Sequence, residues 1–286
     1  MSDYVITTDS GADLPREYLE EHQLKIASLT CLMDGESYND EHPISDKDFY
    51  AKIRGGSMPT TSQVSPEQAR ELFEPFLKEG KDVLHLAFDS GISGSYQSEE
   101  AAAKELREEY PERKLIVIDT LCASMGQGLL VHKALQMKEA GASLEEVVSW
   151  CEDNKMGMAT YVVVDDLNHL YRGGRVSRSS AVLGSVVGIK PIIRIDEKGE
   201  LEVCGKIRGR RKAIQHIIDQ IMERIRDDEK IVSISHGDCL EDAEAMKKIL
   251  MEQYGIEEVL ISFVGPVIGS HTGPGVLVLS AMSKSR

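Results

Sequence analysis

No apolar run in the 286-residue chain approaches the roughly 20 residues that a membrane-crossing helix requires. The opening residues, "MSDYVITTDS", pass directly into a strand-like segment without the basic region and apolar core of a secretory signal, so a cytoplasmic location is expected. C-x-x-C pairs are absent. The five cysteines, Cys31, Cys122, Cys151, Cys204 and Cys239, are scattered and odd in number, which suits reduced thiols rather than a disulfide frame. Neither G-x-x-x-x-G-K-[ST] nor G-x-G-x-x-G occurs, which removes two common phosphate and dinucleotide fingerprints. Positive charge is in deficit. Thirty-three lysines and arginines against 48 acids leave a formal charge of −15, a field that repels nucleic acid and anionic membranes. No internal repeat, low-complexity segment or flexible linker stands out. "SHGDC", with His236, Asp238 and Cys239, offers metal-type ligands but no full coordination set, so no metal is expected.

What remains is ordinary globular material, 41% hydrophobic and 28% charged, long enough for one large or two medium domains. The first half alternates short apolar runs ("YVITTD", "DVLHLAFD", "KLIVIDT") with helix-like segments, which predicts a mostly parallel sheet covered on both faces. Ser65-Pro66-Glu67-Gln68 is a capping box with proline at the first helical position, followed by an apolar stripe at Ala69, Leu72, Phe73, Phe76 and Leu77. Pro75 falls inside that stripe and is expected to kink the helix or break a bond. Ser143 and Glu146 repeat the box before "VVSWCEDN". In the second half, "VGIKPIIRIDEKGELEVCGKIRG" reads as two strands turning at Glu197-Lys198-Gly199. Ile214, Ile217, Ile218, Ile221, Met222 and Ile225 mark an amphipathic helix, and strand, helix and strand follow. The chain divides by this reading into α/β domains at residues 1–157 and 158–286.

Four polar segments interrupt the pattern where strands should end, the usual place for ligands in open α/β sheets. "PTTSQVSPEQ" sets Thr60, Thr61 and Ser62 ahead of a capped helix, as an anion site or as a loop satisfying its own backbone. "FDSGISGSYQS" carries Ser93 and Gly94 in a near match to the G-x-S-x-G elbow, with Ser95 in place of the last glycine. An anion cradle or a plain small-residue turn would use the same residues. "LYRGGRVSR" places Arg172, Arg175 and Arg178 around a Gly-Gly turn, and "GKIRGRRKA" adds Lys206, Arg208, Arg210, Arg211 and Lys212. Such clusters are commonly solvated faces; here they also suit docking of an acidic partner. Aromatic platforms for stacking bases are not evident beside them. "VIGSHTGPGVLVL" sets His271 and Thr272 among glycines between two strand-like runs, a glycine-rich turn that could hold a substrate, grip a phosphate or simply turn a corner, with a lone histidine more often structural than catalytic.

In order, "TDSGADLP", "PTTSQVSPEQ", "SGISGSYQS", "LYRGGRVS", "KPI", "GKIRGRRKA" and "GSHTGPGVL" span Thr8 to Leu277, and together they resemble the DegV family. Gly11 and Ser95 stand where that family often has threonine. The resemblance implies a two-domain DegV-like α/β fold, an N-terminal mostly parallel sheet plus a C-terminal α/β domain, with a long-chain fatty acid at the junction. It further implies a non-catalytic carrier without a cofactor, which presents its lipid to a separate ATP-dependent fatty-acid kinase for acyl-phosphate formation. Transient membrane contact would serve lipid exchange, and nucleic acid is not a partner. On that pattern Thr61, Ser62 and Ser93 bind the carboxylate with backbone help near Gly94. His271, Thr272 and Arg172 complete the head-group network, while Arg208, Arg210 and Arg211 serve kinase docking. The rival from another class is a serine hydrolase of acyl esters, with Ser93, Asp165 or Asp166, and His271 in the Ser–Asp–His order.

Overall fold

The computed structural model describes residues 3–177 and 188–286; Arg178 lies outside them. The described elements begin with β1 (Tyr4–Asp9), α1 (Arg16–Glu21), β2 (Lys25–Ala27), β3 (Thr30–Met33), β4 (Glu36–Tyr38), α2 (Asp46–Arg54) and β5 (Thr60–Ser62). They continue with α3 (Pro66–Lys78), β6 (Asp82–Ala87), α4 (Ser95–Glu109), β7 (Leu115–Asp119), α5 (Met125–Glu139) and α6 (Leu144–Asn154). Then come β8 (Met158–Val163), α7 (Asn168–Arg172), β9 (Ile189–Ile195), β10 (Leu201–Arg208) and α8 (Arg210–Met222). The last are β11 (Ile231–His236), α9 (Leu240–Tyr254), β12 (Glu258–Phe263), α10 (Pro266–Thr272) and β13 (Leu277–Met282).

Three sheets result. The first, in order β2-β1-β6-β7, is parallel throughout, as the alternating strands and helices predict. The second has six strands, β10-β9-β8-β13-β11-β12, and is antiparallel except where β11 meets β12. A small antiparallel sheet, β4-β3-β5, has no counterpart in the sequence reading, because strands of three or four residues carry too few alternations to register. Both capping boxes form, at Ser65 and Ser143. α3 runs through Pro75 to Lys78 as one helix; proline only removes the bond its own N–H would have made.

α5 joins the two larger sheets. Its first turns are buried without a break, from Met125 through Gln127, Leu129, Leu130 and Val131 to His132. A helix with so little polar surface has to be covered all round. Val131, Ala134 and Leu135 pack with Ile6, Leu84 and Ile118 of the first sheet, while Leu129 and Leu130 pack with Met158 and Met282 of the second. Contact with the second sheet is close. A Cβ on Gly126 would stand 2.7 Å from Thr160 Oγ1 and 3.1 Å from Ser280 Oγ, and Ser233 Oγ donates to the Met125 carbonyl at 2.7 Å. The opposite face of the second sheet is closed by Ile214, Ile217, Ile218 and Ile221 of α8 with Met246 and Leu250 of α9.

Candidate functional site

Between the two larger sheets lies a cavity with about 940 Å³ of atom-free space including its mouth. It sits beyond the carboxyl ends of β6 and β7, where Phe88, Ala123 and Ser124 form one wall. Val162, Ile193, Ile195 and Val278 of the second sheet form the wall opposite, and α10 adds Val267 and Ile268. The polar lining comes from Thr61, Ser62, Gln63, Ser93, Gly94, Thr160, Arg175, His271 and Thr272.

At the start of α4 the polar wall is built from small side chains. Gly94 is the N-cap residue and makes no side-chain cap. Ser93 Oγ instead accepts from Ser95 N at 3.2 Å and lies 3.0 Å from Ser95 Oγ, while Ser95 Oγ accepts from Val64 N at 3.2 Å. The positive end of the α4 dipole therefore meets the cavity beside two hydroxyls, a setting that favours an anion. Gly94 also permits a close approach: a Cβ there would come within 2.1 Å of Gln63 Oε1.

His271 sits on the last turn of α10, so the stretch from Val267 to Thr272 is helix and not the glycine turn expected. The turn follows it, at Gly273 and Gly275, which have φ of +75° and +79°. Gly269 serves packing: a Cβ there would lie 2.6 Å from the Phe49 ring and 2.8 Å from the Tyr50 hydroxyl. Burial, and then the positive charges of Arg175 and Arg172, push the His271 imidazole down to about 4, so the ring is neutral at pH 7. Its Nδ1 is buried without a hydrogen-bond partner among the described residues, so an N–H placed there would go unsatisfied. We therefore assign the proton to Nε2, which donates to Thr61 Oγ1 at 2.8 Å and leaves the Thr61 O–H free to donate into the cavity.

A pH dependence follows from that depressed value. The unfolded imidazole takes its proton near pH 6.5 and the folded one only near 4, so stability is lost as pH falls through this window. His271→Gln keeps a donor for Thr61 and cannot titrate. Chemical denaturation at pH 7 and pH 4.5 is expected to show a smaller acid loss in the variant; equal losses would contradict the assignment.

Thr61, Ser62, Ser93, Gly94, His271 and Thr272 all line the cavity. Thr61 and Ser62 do so from edge strand β5, and not from a loop feeding the N-terminus of α3, where the capping box of Ser65 and Gln68 forms. Thr272 Oγ1 donates to the Ile268 carbonyl at 3.0 Å within its own helix. Arg172 does not line the cavity. Its guanidinium lies 3.0 Å from His169 Nδ1 on the surface, and the arginine at the cavity is Arg175, which donates to the Ile92 carbonyl at 3.1 Å and to the Gly173 carbonyl. Of the basic residues in the second cluster, Arg208 and Arg211 are exposed, whereas Arg210 is held by Asp242 at 2.9 Å. His236 accepts from Cys239 N at 3.3 Å and Asp238 pairs with Arg54, so "SHGDC" is occupied by local structure.

The hydrolase triad is not assembled. His271 Nε2 bonds Thr61, Ser93 bonds Ser95, and among the described residues His271 Nδ1 has no acid to orient it. Asp165 pairs instead with Lys190 at 2.6 Å, and Asp166 accepts from Asn168 N at 2.7 Å.

The fold and this cavity define an α/β protein that encloses a largely apolar space with hydroxyls, an imidazole and a helix start on its lining. The chain matches the DegV family model (uncharacterised protein, DegV family) over residues 3–284 and belongs to that family. It is 42% identical over 282 residues to DegV domain-containing protein CPE0026 of Clostridium perfringens, covering 98% of this chain and 97% of that one. Among solved structures it is similar to a fatty-acid-binding DegV family protein of Thermus thermophilus, at 32% identity and a TM-score of 0.86, covering 99% of this chain and 100% of the other. A stearic-acid-binding protein of Eubacterium ventriosum matches at 29% identity and a TM-score of 0.86, with 98% of each chain covered.

Proposed function

We propose that the protein binds a long-chain fatty acid in this cavity and presents its carboxylate to a separate ATP-dependent kinase. One observation carries the reading: a single cavity joins walls of Phe88, Val162, Ile193, Ile195 and Val278 to donors at Thr61, Ser62, Ser93 and the start of α4. Burying an acyl chain of about sixteen carbons contributes roughly 10 kcal/mol at about 0.8 kcal/mol per CH₂, before ordering costs. The carboxylate leaves bulk water and needs donors, which the hydroxyls and amides supply. The fatty-acid ligands of the Thermus and Eubacterium proteins support the same assignment here.

In this reading a carboxylate oxygen attacks the γ-phosphorus of ATP held by the kinase, the bond to ADP breaks, and the acyl phosphate stays with the carrier, which itself supplies no nucleophile and no cofactor. Neutral His271 and Arg175 border the head group, while exposed Arg208 and Arg211 offer the kinase a cationic edge on an otherwise acidic protein. The proposed setting is cytoplasmic, with brief membrane contact for lipid exchange; among the described residues no helix is long and apolar enough to cross a membrane.

Native mass spectrometry of the purified protein, repeated after denaturation and solvent extraction, tests the binding step. A mass excess that vanishes on denaturation and is recovered as a fatty acid is expected. An acyl group that stays covalently on Ser93, or failure of the delipidated protein to take up stearate or oleate, would sink the reading. Thr61→Val removes the donor but keeps the shape, and is expected to weaken fatty-acid binding by about tenfold, from one lost bond to a charged group at about 1.5 kcal/mol. Arg208→Glu with Arg211→Glu is expected to leave that affinity unchanged and to lower acyl-phosphate output with the cognate kinase. Loss of lipid binding in this pair would reassign both arginines.

A further inference from the structure

Behind the wall of the cavity, outside the site just described, three buried side chains converge from distant parts of the chain. Asp9 ends β1, His85 lies in β6 and Glu99 lies on α4, and all three are 0% exposed. Their ligand-type nitrogen and oxygen atoms all fall within 4.8 Å of one another, and His85 Nε2 is 3.2 Å from Glu99 Oε2. Among the described residues neither Glu99 oxygen has a hydrogen-bond partner, nor does His85 Nε2. A buried carboxylate without donors is unfavourable by several kcal/mol, so something must compensate it. No lysine or arginine pairs with Asp9 or Glu99 among the described residues.

The surroundings are organised as a ligand shell would require. His85 Nδ1 lies 2.9 Å from Thr7 Oγ1, which fixes the ring and leaves Nε2 aimed at the two acids. Asp9 is oriented by three donors: Gly11 N at 2.9 Å and Gln127 Nε2 at 3.3 Å on Oδ1, and Phe88 N at 2.5 Å on Oδ2. As ligands, two carboxylates and one neutral imidazole carry two negative charges, which one divalent cation cancels. Imidazole with two carboxylates suits Mn²⁺, Fe²⁺ or Zn²⁺.

We infer that Asp9, His85 and Glu99 form a buried site for a divalent transition-metal ion, taken up as the chain folds. The ion would tie α4 to β1 and β6, and so hold the helix start that forms the cavity wall. "SHGDC", which offers metal-type residues without a full coordination set, is not involved.

The test refolds the full-length protein from guanidinium and EDTA in the presence of Zn²⁺, Mn²⁺, Co²⁺ or EDTA alone. After desalting, metal content is measured by mass spectrometry and melting temperature by circular dichroism. One equivalent of retained metal, a melting temperature several degrees above the EDTA sample, and visible Co²⁺ absorption are expected. Glu99→Gln and His85→Gln, checked for folding by circular dichroism, are expected to lose the retained metal and the Co²⁺ bands. Absence of retained metal and of any melting difference in the unmutated protein would overturn the inference and leave the cluster balanced by protons. Metal retained equally by a folded Glu99→Gln variant would overturn it as well, by placing the ion elsewhere. The unmutated protein decides the question even where both variants fail to fold.

Discussion

Raising the pH from 6 to 9 is expected to destabilise the protein through Asp13, and Asp13→Asn is expected to remove that part of the loss. Asp13 is buried; its Oδ2 accepts from Ser124 Oγ at 2.5 Å and its Oδ1 from Gly265 N at 3.0 Å. Burial pushes the carboxyl up to about 8 against these two bonds. Below about pH 4 both folded and unfolded chains hold the proton, and the full stability is present. Between about 4 and 8 the unfolded chain releases it and the folded chain does not, so stability falls as pH rises, and the loss is complete above 8. The two units between pH 6 and 8 correspond to about 3 kcal/mol at 1.36 kcal/mol per unit.

Asparagine matches the protonated acid in shape and charge: its carbonyl accepts from Gly265 N, and its amide donates to Ser124 Oγ once that hydroxyl turns its own proton to Ser235 Oγ, 2.7 Å away. Urea unfolding of both proteins at pH 6 and pH 9 isolates Asp13 from every other titrating group. Parallel pH dependences would show that Asp13 is ionised in the folded state. The consequence reaches the cavity, because Ser124 lines it and Gly265 is the N-cap of the helix that carries His271. Fatty-acid affinity in alkaline buffer is expected to be better preserved in the asparagine variant.

Arg286→Ala is expected to lower stability by about 3 kcal/mol, the scale for a buried charge and its bonded partners. Arg286 is buried, and its guanidinium reaches segments far apart in the chain. Nε donates to the Met158 carbonyl at 3.1 Å and Nη1 to the Asp196 carbonyl at 3.0 Å, while Nη2 donates to the Leu121 carbonyl and lies 3.3 Å from Cys122 Sγ. Truncation strands these carbonyls where water reaches them poorly. Arg286→Lys keeps the charge but not the planar fork, and is expected to recover less than half of the loss. Near Asp89, whose carboxyl burial raises to about 7, the arginine charge works in the opposite direction, so the variant's Asp89 should titrate higher still. Melting temperatures of the three proteins check the ranking; an unchanged value for Arg286→Ala would show that the contacts are solvated in solution.

Much of the local structure was written in spacing. The boxes at Ser65 and Ser143, the isoleucine stripe of α8 and the Glu197–Gly199 turn depend on neighbours within a few residues, and each formed, although α8 ends at Met222 and leaves Ile225 beyond it in a bridge to Ser283. α5 was less legible, because a helix buried on every side has no stripe for a periodicity test to find. The hydroxyls at Thr61, Ser62 and Ser93 stood out as interruptions of the apolar pattern. Which arginine of Arg172 and Arg175 turns inward did not, since the geometry of the Gly173-Gly174 turn settles it.

Helix starts, apolar faces and the segments that break the pattern could all be read along the chain, because each depends on contacts a few residues apart. The meetings that make the site could not. Thr61 reaches His271 across 210 positions, Ser124 reaches Asp13 across 111, and Glu99 comes to lie beside His85 and Asp9. Burial, charge compensation and the tautomer of a histidine are properties of what packs around a group. A linear pattern names the groups but does not record their neighbours.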